Sequence, residues 1–413
     1  MRILTISLYW PPAGGAGVQR PLKLMSHLAA MGHDVHVLAP DDPKWIHSDA
    51  GLPLPTQAWV HRARYVGPKG RLPAEELHGA TGVDLAVRRA KLLGRRFLVP
   101  DENVSWNLTA IPAAIKLVRS EEIDVVITTS PPGSVHLVGG AVKRATGVRW
   151  VADLRDSLVA HPHRDAQRML VRVKEQGQHA VAKLVTSQAD AIVTVSDAIA
   201  AEMRERDPRG PVATIANGSD FDDFDGLEYR PGSERFRITH TGSFFGKRDP
   251  RPFLTALARV DGVVARFVGD FRSTDREWSE KILDRMELIP YAPHRHALEL
   301  QRDSEALLLL IPEAGGRGKG VLSGKVFEYL AAERPILAVV PPDGAAAALI
   351  RETGAGVVVA PDDVPAIRAA LEGLHARWSA GELDGTPLDD ETRRRLARES
   401  RVEELAELLR SLV

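Results

Sequence analysis

Short apolar runs alternate with amphipathic stretches along the whole chain. The apolar runs of the first half are RILTISL, HDVHVLAP, DVVITTS, RWVADL, AIVTVS and VATIANG, each followed by turn or cap residues. Helical patterns lie between them, such as PLKLMSHLAAMG, which closes with Gly32 where a helix C-cap is expected. Runs that are apolar on both faces are typical of a parallel sheet covered by helices. Residues 1–216 are therefore predicted to form one doubly wound α/β unit.

A polar, turn-rich segment separates this series from a second one. Residues 217–236, NGSDFDDFDGLEYRPGSERF, show no periodicity and are predicted to be a hinge or linker. The runs FRITHTG, ARFVGD, ALLLLIP, PILAVV and GVVVAP then predict a second α/β unit over 237–413, whose last helix is expected to pack back on the first domain. Open sheets bind ligands at the carboxyl ends of their strands, so we expect two Rossmann-like domains that face each other across a ligand-binding cleft.

Composition narrows the classes of site. A chain of 413 residues is too long for one ordinary core, which agrees with two domains. The net charge of −1 gives no overall attraction to nucleic acid, so an anion site has to be local. The absence of cysteine rules out disulfides, thiolate metal ligands and a cysteine nucleophile. No targeting segment or membrane-spanning stretch is evident, and we expect a cytoplasmic protein.

The loop after the first strand, YWPPAGGAGVQR, contains a cluster of glycines. Gly15 and Gly17 match the first two glycines of the dinucleotide fingerprint G-x-G-x-x-G, but Arg20 stands at the third position. A loop of bare N–H groups that leads into a helix instead indicates a general anion or hydroxyl site. A tight turn without a ligand is the alternative.

Five segments in order along the chain resemble the retaining glycosyltransferase family 4, which has the GT-B fold. They are the opening strand with its loop, TTSPPGSVHLVGGAVKRATGVRWVADLRDS, AIVTVSDAIAAEM with TIANGSD, THTGSFFGKRDP, and VLSGKVFEYLAAERPILAVV. The second segment is similar to bacterial members that build cell-surface or exported glycans. The resemblance implies transfer of a sugar from a nucleoside diphosphate to an acceptor hydroxyl, with retention of configuration.

Two positions depart from the family pattern. Family 4 often has paired glutamates eight residues apart, but Gly320 stands at the first position and only Glu328 is kept. The frequent G-R-L after the first strand of the second domain is Gly242-Ser243-Phe244, while Lys247 and Arg248 keep positive charge further along that loop. Sugar recognition and the stereochemical course therefore stay open.

A departing diphosphate needs positive charge. No carboxylate or histidine cluster has metal-ligand spacing, so we expect no metal and no cofactor, and cationic side chains in their place. Lys247 and Lys325 are the predicted diphosphate ligands, although a helix lysine is often simply solvated. The resemblance implies that Glu328 binds the ribose hydroxyls; an intrahelical ion pair with Lys325 is the alternative. The complete predicted donor set is Gly15, Gly17, Gly242, Ser243, Lys247, Arg248, Tyr291 near the nucleobase, Ser323, Gly324, Lys325 and Glu328.

Polar residues directly after the strand RWVADL are candidates for proton transfer. Asp153, Arg155 and Asp156 are costly to bury there unless they are paired or used. A carboxylate could orient the acceptor hydroxyl or take its proton, with Asp156 preferred, whereas a structural Asp–Arg pair is the alternative. The predicted catalytic residues are Asp156, Asp153 and Lys247, and the predicted acceptor contacts are Arg20, Ser130, His136 and Arg155.

Residues 83–98 combine cations with apolar side chains. The cations are Arg88, Arg89, Lys91, Arg95 and Arg96. Such a segment suits an anionic membrane surface, at about 1 kcal/mol per cation, and would bring the enzyme to a lipid-linked acceptor. An ordinary surface helix is the alternative. The predicted partners are a nucleotide-sugar donor, a sugar, lipid-linked or small-molecule acceptor, and the inner face of a membrane, with no nucleic acid.

Two other functions fit the same fold. A nucleotide-sugar epimerase keeps the nucleotide site, but its usual cluster of histidine and carboxylate residues is not evident. A non-catalytic protein that binds a nucleotide-sugar or a glycan is favoured by the glycine at position 320.

Overall fold

The computed structural model describes residues 1–41, 48–55, 57–68, 81–83, 85–87, 94–95, 97–159, 169–230, 235–244, 248–271 and 282–413. The chain divides into two compact units, Met1–Ala216 with Val402–Val413, and Asn217–Arg401. The segment predicted as a linker begins the second unit, where Phe221 and Phe224 of a short 3₁₀ helix are buried. In the described ranges, no helix has both the length and the apolar character that crossing a bilayer requires.

The first unit is built on a parallel sheet of seven strands. They are β1 (Arg2–Ser7), β2 (Asp34–Pro40), β3 (Ala58–Ala63), β4 (Val125–Ser130), β5 (Arg149–Leu154), β6 (Ala191–Thr194) and β7 (Val212–Thr214), in the spatial order β3-β2-β1-β4-β5-β6-β7. Every residue of β4 is buried, as expected for a strand covered on both faces. The strand order reverses between β1 and β4, so this is the switch point of the first sheet.

Helices cover both faces of that sheet. They are α1 (Ala16–Ala30), α2 (Asn107–Ser120), α3 (Val135–Thr146), α4 (Met169–Gln188) and α5 (Asp197–Arg204), with a 3₁₀ helix at Val104–Trp106. The chain's last helix runs over Arg398–Leu412, and Val402 and Leu409 from it share one core with Val18 of α1 and Val37 of β2. Apolar side chains of Ile3 and Val125 complete that core, which lies on the α1 face of the sheet.

The second unit repeats this architecture with six parallel strands. They are β8 (Phe236–Thr241), β9 (Val263–Val268), β10 (Met286–Ile289), β11 (Ala306–Leu310), β12 (Ile336–Val339) and β13 (Gly356–Val359), in the order β10-β9-β8-β11-β12-β13. The helices of this unit are α6 (Arg251–Leu257), α7 (His294–Arg302), α8 (Gly324–Ala331), α9 (Ala345–Glu352), α10 (Val364–Ser379) and α11 (Asp390–Leu396). Short 3₁₀ helices lie at Phe221–Phe224 and Leu283–Arg285. The last helix of the chain, Arg398–Leu412, is α12. The order reverses between β8 and β11. The predicted pair of doubly wound, parallel-sheet α/β domains is confirmed.

Candidate functional site

The carboxyl end of β8 lies at the switch point of the second sheet, where open α/β sheets bind ligands. Gly242 follows β8 with a φ of +120°, which L residues rarely adopt. A Cβ atom at this position would collide with Nζ of Lys325. Glycine at 242 therefore lets the Lys325 amine lie directly against the backbone at the end of the strand.

Lys325 lies in the first turn of α8 and is partly buried. Burial, together with the nearby Arg248 guanidinium, holds the pKa of its amine well below the ordinary 10.5, against the attraction of Glu328. Within the described part of the chain, Lys325 forms no ion pair. A negatively charged ligand would stabilise the protonated form of this buried amine, so the end of β8 is suited to an anionic ligand.

The surrounding loop contributes further polar groups. The Arg248 guanidinium donates from Nη1 to the carbonyl oxygen of Ser243 at 3.1 Å, and burial lowers its pKa. The Ser243 hydroxyl accepts a hydrogen bond of 3.1 Å from the Asp270 N–H group. Ser323 precedes α8 without capping it through its side chain, so the first N–H groups of the helix stay available to a ligand.

Glu328 lies one turn after Lys325 on α8 and is partly exposed. The neighbouring Tyr329 is buried, and its hydroxyl accepts the Thr241 N–H group at 2.9 Å, which joins α8 to the end of β8. Burial raises the pKa of Tyr329 to about 12. An ion pair between Lys325 and Glu328, the alternative stated above, is not observed.

The other predicted donor residues lie in different parts of the molecule. Tyr291 follows β10 at the same edge of the second sheet, two strands from β8. Lys247 lies outside the described residues. Gly15 and Gly17 belong to the first unit, where Gly15 has a φ of +86° and a Cβ at 17 would come within 2.9 Å of the Tyr9 ring. Close packing against Tyr9 is thus a structural reason for the glycine at 17.

Arg20 and Asp153 form a buried ion pair at the switch point of the first sheet. The distance from Arg20 Nη2 to Asp153 Oδ1 is 2.6 Å, and Nε lies 3.1 and 3.0 Å from the two carboxylate oxygens. Thr129 donates its hydroxyl to Asp153 Oδ2 at 2.7 Å, and both charged residues are only 2 % exposed. The enclosed pair favours the structural alternative, while the expected roles of Asp153 in proton transfer and of Arg20 at the acceptor stay predictions. A structural Asp–Arg pair is thus present at Asp153, but its arginine is Arg20 on α1 and not the neighbouring Arg155.

His136 and Ser130 are also enclosed, and their expected contact with an acceptor stays a prediction. His136 is 0 % exposed, and its Nδ1 lies 2.8 Å from the Thr128 hydroxyl, which in turn accepts from the Trp150 indole at 2.8 Å. Burial lowers the pKa of His136 to about 4, so the ring is neutral. The buried Ser130 hydroxyl lies 3.4 Å from the carbonyl oxygen of Asp153. These residues support the fold.

Asp156 and Arg155 remain accessible at the carboxyl end of β5. The Asp156 carboxylate is 43 % exposed and lies 3.6 Å from Arg155 Nη2. Both charges act on the nearby Tyr9. Burial raises the pKa of the Tyr9 hydroxyl, the positive charge of Arg155 lowers it, and the negative charge of Asp156 raises it further. Asp156 thus has the accessibility that an acceptor hydroxyl requires, which Asp153 lacks.

Two further expectations concern metals and membranes. In the ranges that the structure describes, no group of three or more histidine, aspartate and glutamate side chains could hold a metal ion. Of the five cations in the basic segment, Arg88, Arg89, Lys91 and Arg96 lie outside the described residues.

Residues 14–218 match the family of the glycosyl transferase 4-like domain. The chain belongs to the family 4-like glycosyltransferases. The resemblance inferred from the five segments is thereby confirmed, and the chain is an enzyme of the glycosyltransferase class. A search among curated proteins found no significant match.

Solved structures agree on the fold of this glycosyltransferase over its full length. Sucrose-phosphate synthase from Thermosynechococcus elongatus matches with a TM-score of 0.70 and 17 % identity, over 100 % of this chain and 98 % of that one. HepE from Anabaena in complex with UDP-glucose matches with a TM-score of 0.63 and 14 % identity, over all of both chains. A UDP-N-acetylglucosamine 2-epimerase from Listeria monocytogenes, assigned by its description only provisionally, matches with a TM-score of 0.55 and 9 % identity, over 99 % and 96 % of the two chains. The fold is therefore that of the GT-B enzymes.

Proposed function

We propose that this glycosyltransferase moves a sugar from a nucleoside diphosphate to an acceptor hydroxyl and holds the diphosphate at the end of β8. One observation carries the proposal: the Lys325 amine lies against Gly242, next to Arg248, without an ion pair to any described residue. An incoming diphosphate supplies the missing counter-charge. Glu328, one turn further along α8, accepts hydrogen bonds from the ribose hydroxyls.

The chemistry follows from these charges. The bond between the anomeric carbon and the diphosphate oxygen breaks, and the diphosphate leaves with the electron pair. Lys325 stabilises the growing negative charge through its own positive charge and through the N–H groups at the start of α8. The acceptor oxygen forms the new bond and passes its proton to Asp156, whose carboxylate is accessible in the first unit. We propose retention of configuration and transfer without a metal ion.

The donor and acceptor classes are part of the same proposal. HepE, which shares the fold, is solved with UDP-glucose, so UDP-hexoses are the first donors to test. The proposed acceptor is a saccharide, either lipid-linked at the inner face of a membrane or carried on a small molecule. Synthesis of a polysaccharide or glycoconjugate in the cytoplasm fits such an acceptor.

The test incubates the protein with UDP-, GDP- and dTDP-sugars, with and without saccharide acceptors, and measures the released nucleotide and the product. We expect acceptor-dependent release with one donor. An epimerase would convert the donor without an acceptor, and a binding protein would gain thermal stability without turnover. Either result would overturn the proposed transfer.

Asp156→Asn tests the proton acceptor separately. The variant is expected to bind the donor with unchanged affinity and to transfer the sugar about 100-fold more slowly, because the amide cannot take the proton. Ser157→Ala, at the next position, is the control. An Asp156→Asn enzyme with the wild-type turnover number would remove Asp156 from the mechanism.

A further inference from the structure

Gln301, in the last turn of α7, contacts both elements that form the proposed donor site. Its Nε2 donates to Thr241 Oγ1 at the end of β8 over 3.1 Å, and to Glu328 Oε2 on α8 over 3.3 Å. The residue is only 1 % exposed. Gln301 therefore has no surface for a ligand of its own, but it contacts a carboxylate that does.

The chemistry of the groups fixes the orientation of the Gln301 amide. Glu328 is a carboxylate and only accepts hydrogen bonds, so the NH₂ group has to face it. That group has two N–H bonds, and the two acceptors, Thr241 Oγ1 and Glu328 Oε2, use both of them. Rotating the amide by half a turn would place its oxygen against a negative charge. The glutamine thus has one favourable orientation.

The same bonds connect Glu328 to the rigid end of the sheet. The Thr241 hydroxyl lies 3.3 Å from the Tyr329 hydroxyl, which also accepts the Thr241 N–H group at 2.9 Å. Thr241 and Tyr329 are buried at 6 % and 0 % exposure. Glu328 is therefore restrained twice, by its helix backbone through Tyr329 and by its side chain through Gln301. Its Oε1 atom accepts no hydrogen bond from the described residues.

We propose that Gln301 is a positioning residue that makes the donor site selective for ribonucleotides over 2′-deoxyribonucleotides. This inference depends on the proposed function, in which Glu328 accepts the ribose hydroxyls. Two vicinal hydroxyls are bound best by a carboxylate whose orientation is fixed before binding, because no rotamer freedom is then lost. A freely rotating Glu328 still attracts one hydroxyl but gains less from the second.

The test measures dissociation constants by calorimetry for UDP and 2′-deoxy-UDP, and for GDP and 2′-deoxy-GDP. The proteins are the wild type, Gln301→Leu, Gln301→Glu and Glu328→Gln. We expect the ribo-to-deoxy preference to fall about fivefold in Gln301→Leu, since a charge-assisted hydrogen bond is lost. Gln301→Glu should lower it at least as much, because a second carboxylate repels Glu328. In Glu328→Gln the preference should nearly vanish.

Gln178→Leu is the matched control. Gln178 is also a buried glutamine, at 3 % exposure, and its Nε2 donates to the carbonyl oxygen of Pro100 at 3.3 Å in the first unit. This variant should lose comparable stability and keep the wild-type ribo-to-deoxy ratio. Thr241→Val, which removes the hydroxyl that anchors Gln301, should lower the ratio in the same direction as Gln301→Leu and covers the case in which Gln301→Leu fails to fold.

The outcomes separate the two proposals. If Glu328→Gln loses the preference while Gln301→Leu and Thr241→Val retain it, Gln301 is only structural and the inference is wrong, although the donor site stands. If the wild type binds neither UDP nor GDP, the proposed function fails and the inference falls with it.

Discussion

The switch points of the two sheets differ in the pairing of their buried cations. In the first sheet, Arg20 is locked against Asp153 with distances of 2.6 to 3.1 Å, and the pair is sealed from solvent. In the second sheet, Lys325 lies at the end of β8 without an ion pair to a described residue. A charge that is neutralised inside the protein stabilises one conformation, whereas a charge without a partner is available to a ligand. Position at a switch point is therefore insufficient to identify a binding residue. Whether the charged side chain already has an ion-pair partner within the protein has to be known as well.

Removing one member of the buried pair should give the largest effect. Asp153→Ala leaves the Arg20 guanidinium buried without a counter-charge, and we expect the free energy of unfolding to fall by about 4 kcal/mol in urea titrations. The double variant Arg20→Met, Asp153→Leu replaces both charges by apolar groups and should recover most of the loss. A small loss of stability in Asp153→Ala, together with lost turnover, would instead make Asp153 catalytic.

The interior of the first unit should also make the protein sensitive to acid. The pKa of His136 is lowered to about 4, so between pH 6.5 and 4 the unfolded state binds a proton that the folded state does not. The stability is complete above pH 6.5 and is lost as the pH falls towards 4, by about 3 kcal/mol from this group. His136→Gln should flatten the decline in thermal unfolding.

The exposed His296 is the control for that titration. Its replacement by glutamine should leave the acid dependence of the melting temperature as it is in the wild type. A His136→Gln variant with the wild-type acid dependence would contradict the assigned role of burial.

Lys325 predicts a pH dependence of the same sign as that of His136, at higher pH and with a smaller effect on stability. Its lowered pKa means that the unfolded chain binds more protons between that pKa and 10.5, so the stability without ligand should rise with pH in this window. Lys325→Met should lose this rise and be about 1 kcal/mol more stable near neutral pH, as is common when a functional group is replaced. Thermal unfolding from pH 7 to 10 measures both. A Lys325→Met variant less stable than the wild type would show that the lysine supports the fold.

An exposed lysine should give the smallest effect of all. Lys319 donates to Asp343 at 2.6 Å, and both side chains are largely solvated. Lys319→Met is expected to change neither the unfolding transition nor the affinity for UDP measurably, since exposed ion pairs contribute little. Loss of UDP binding in this variant would move the diphosphate site away from the end of β8.

The sequence predicts the architecture because strands buried on both faces leave a continuous apolar signal. ALLLL becomes β11 and VVITTS becomes β4, each entirely buried. The prediction of Lys325 and Glu328 as donor ligands rests on the family resemblance of their segment and on their helical spacing, which are local features. Lys325 meets Gly242 only after β8 and α8 come together.

Pairings between distant positions could not be predicted in this way. Arg155 is the nearest arginine in sequence to Asp153, yet the partner is Arg20, on the helix after β1. His136, in the stretch SVHLVGG, was predicted as an acceptor contact, yet its side chain is completely buried. Gln301 stands in a charged helix with no motif around it, so only its two hydrogen bonds reveal it.

Proton uptake on UDP binding tests the central claim most directly. A diphosphate at the end of β8 raises the pKa of Lys325, so the wild type should take up a proton fraction in titrations between pH 7 and 10, seen as a binding enthalpy that depends on the buffer. Lys325→Met should show no such dependence and bind about 30-fold more weakly, while Lys319→Met behaves as the wild type. Equal affinity and equal proton uptake in Lys325→Met and the wild type would show that the diphosphate binds elsewhere.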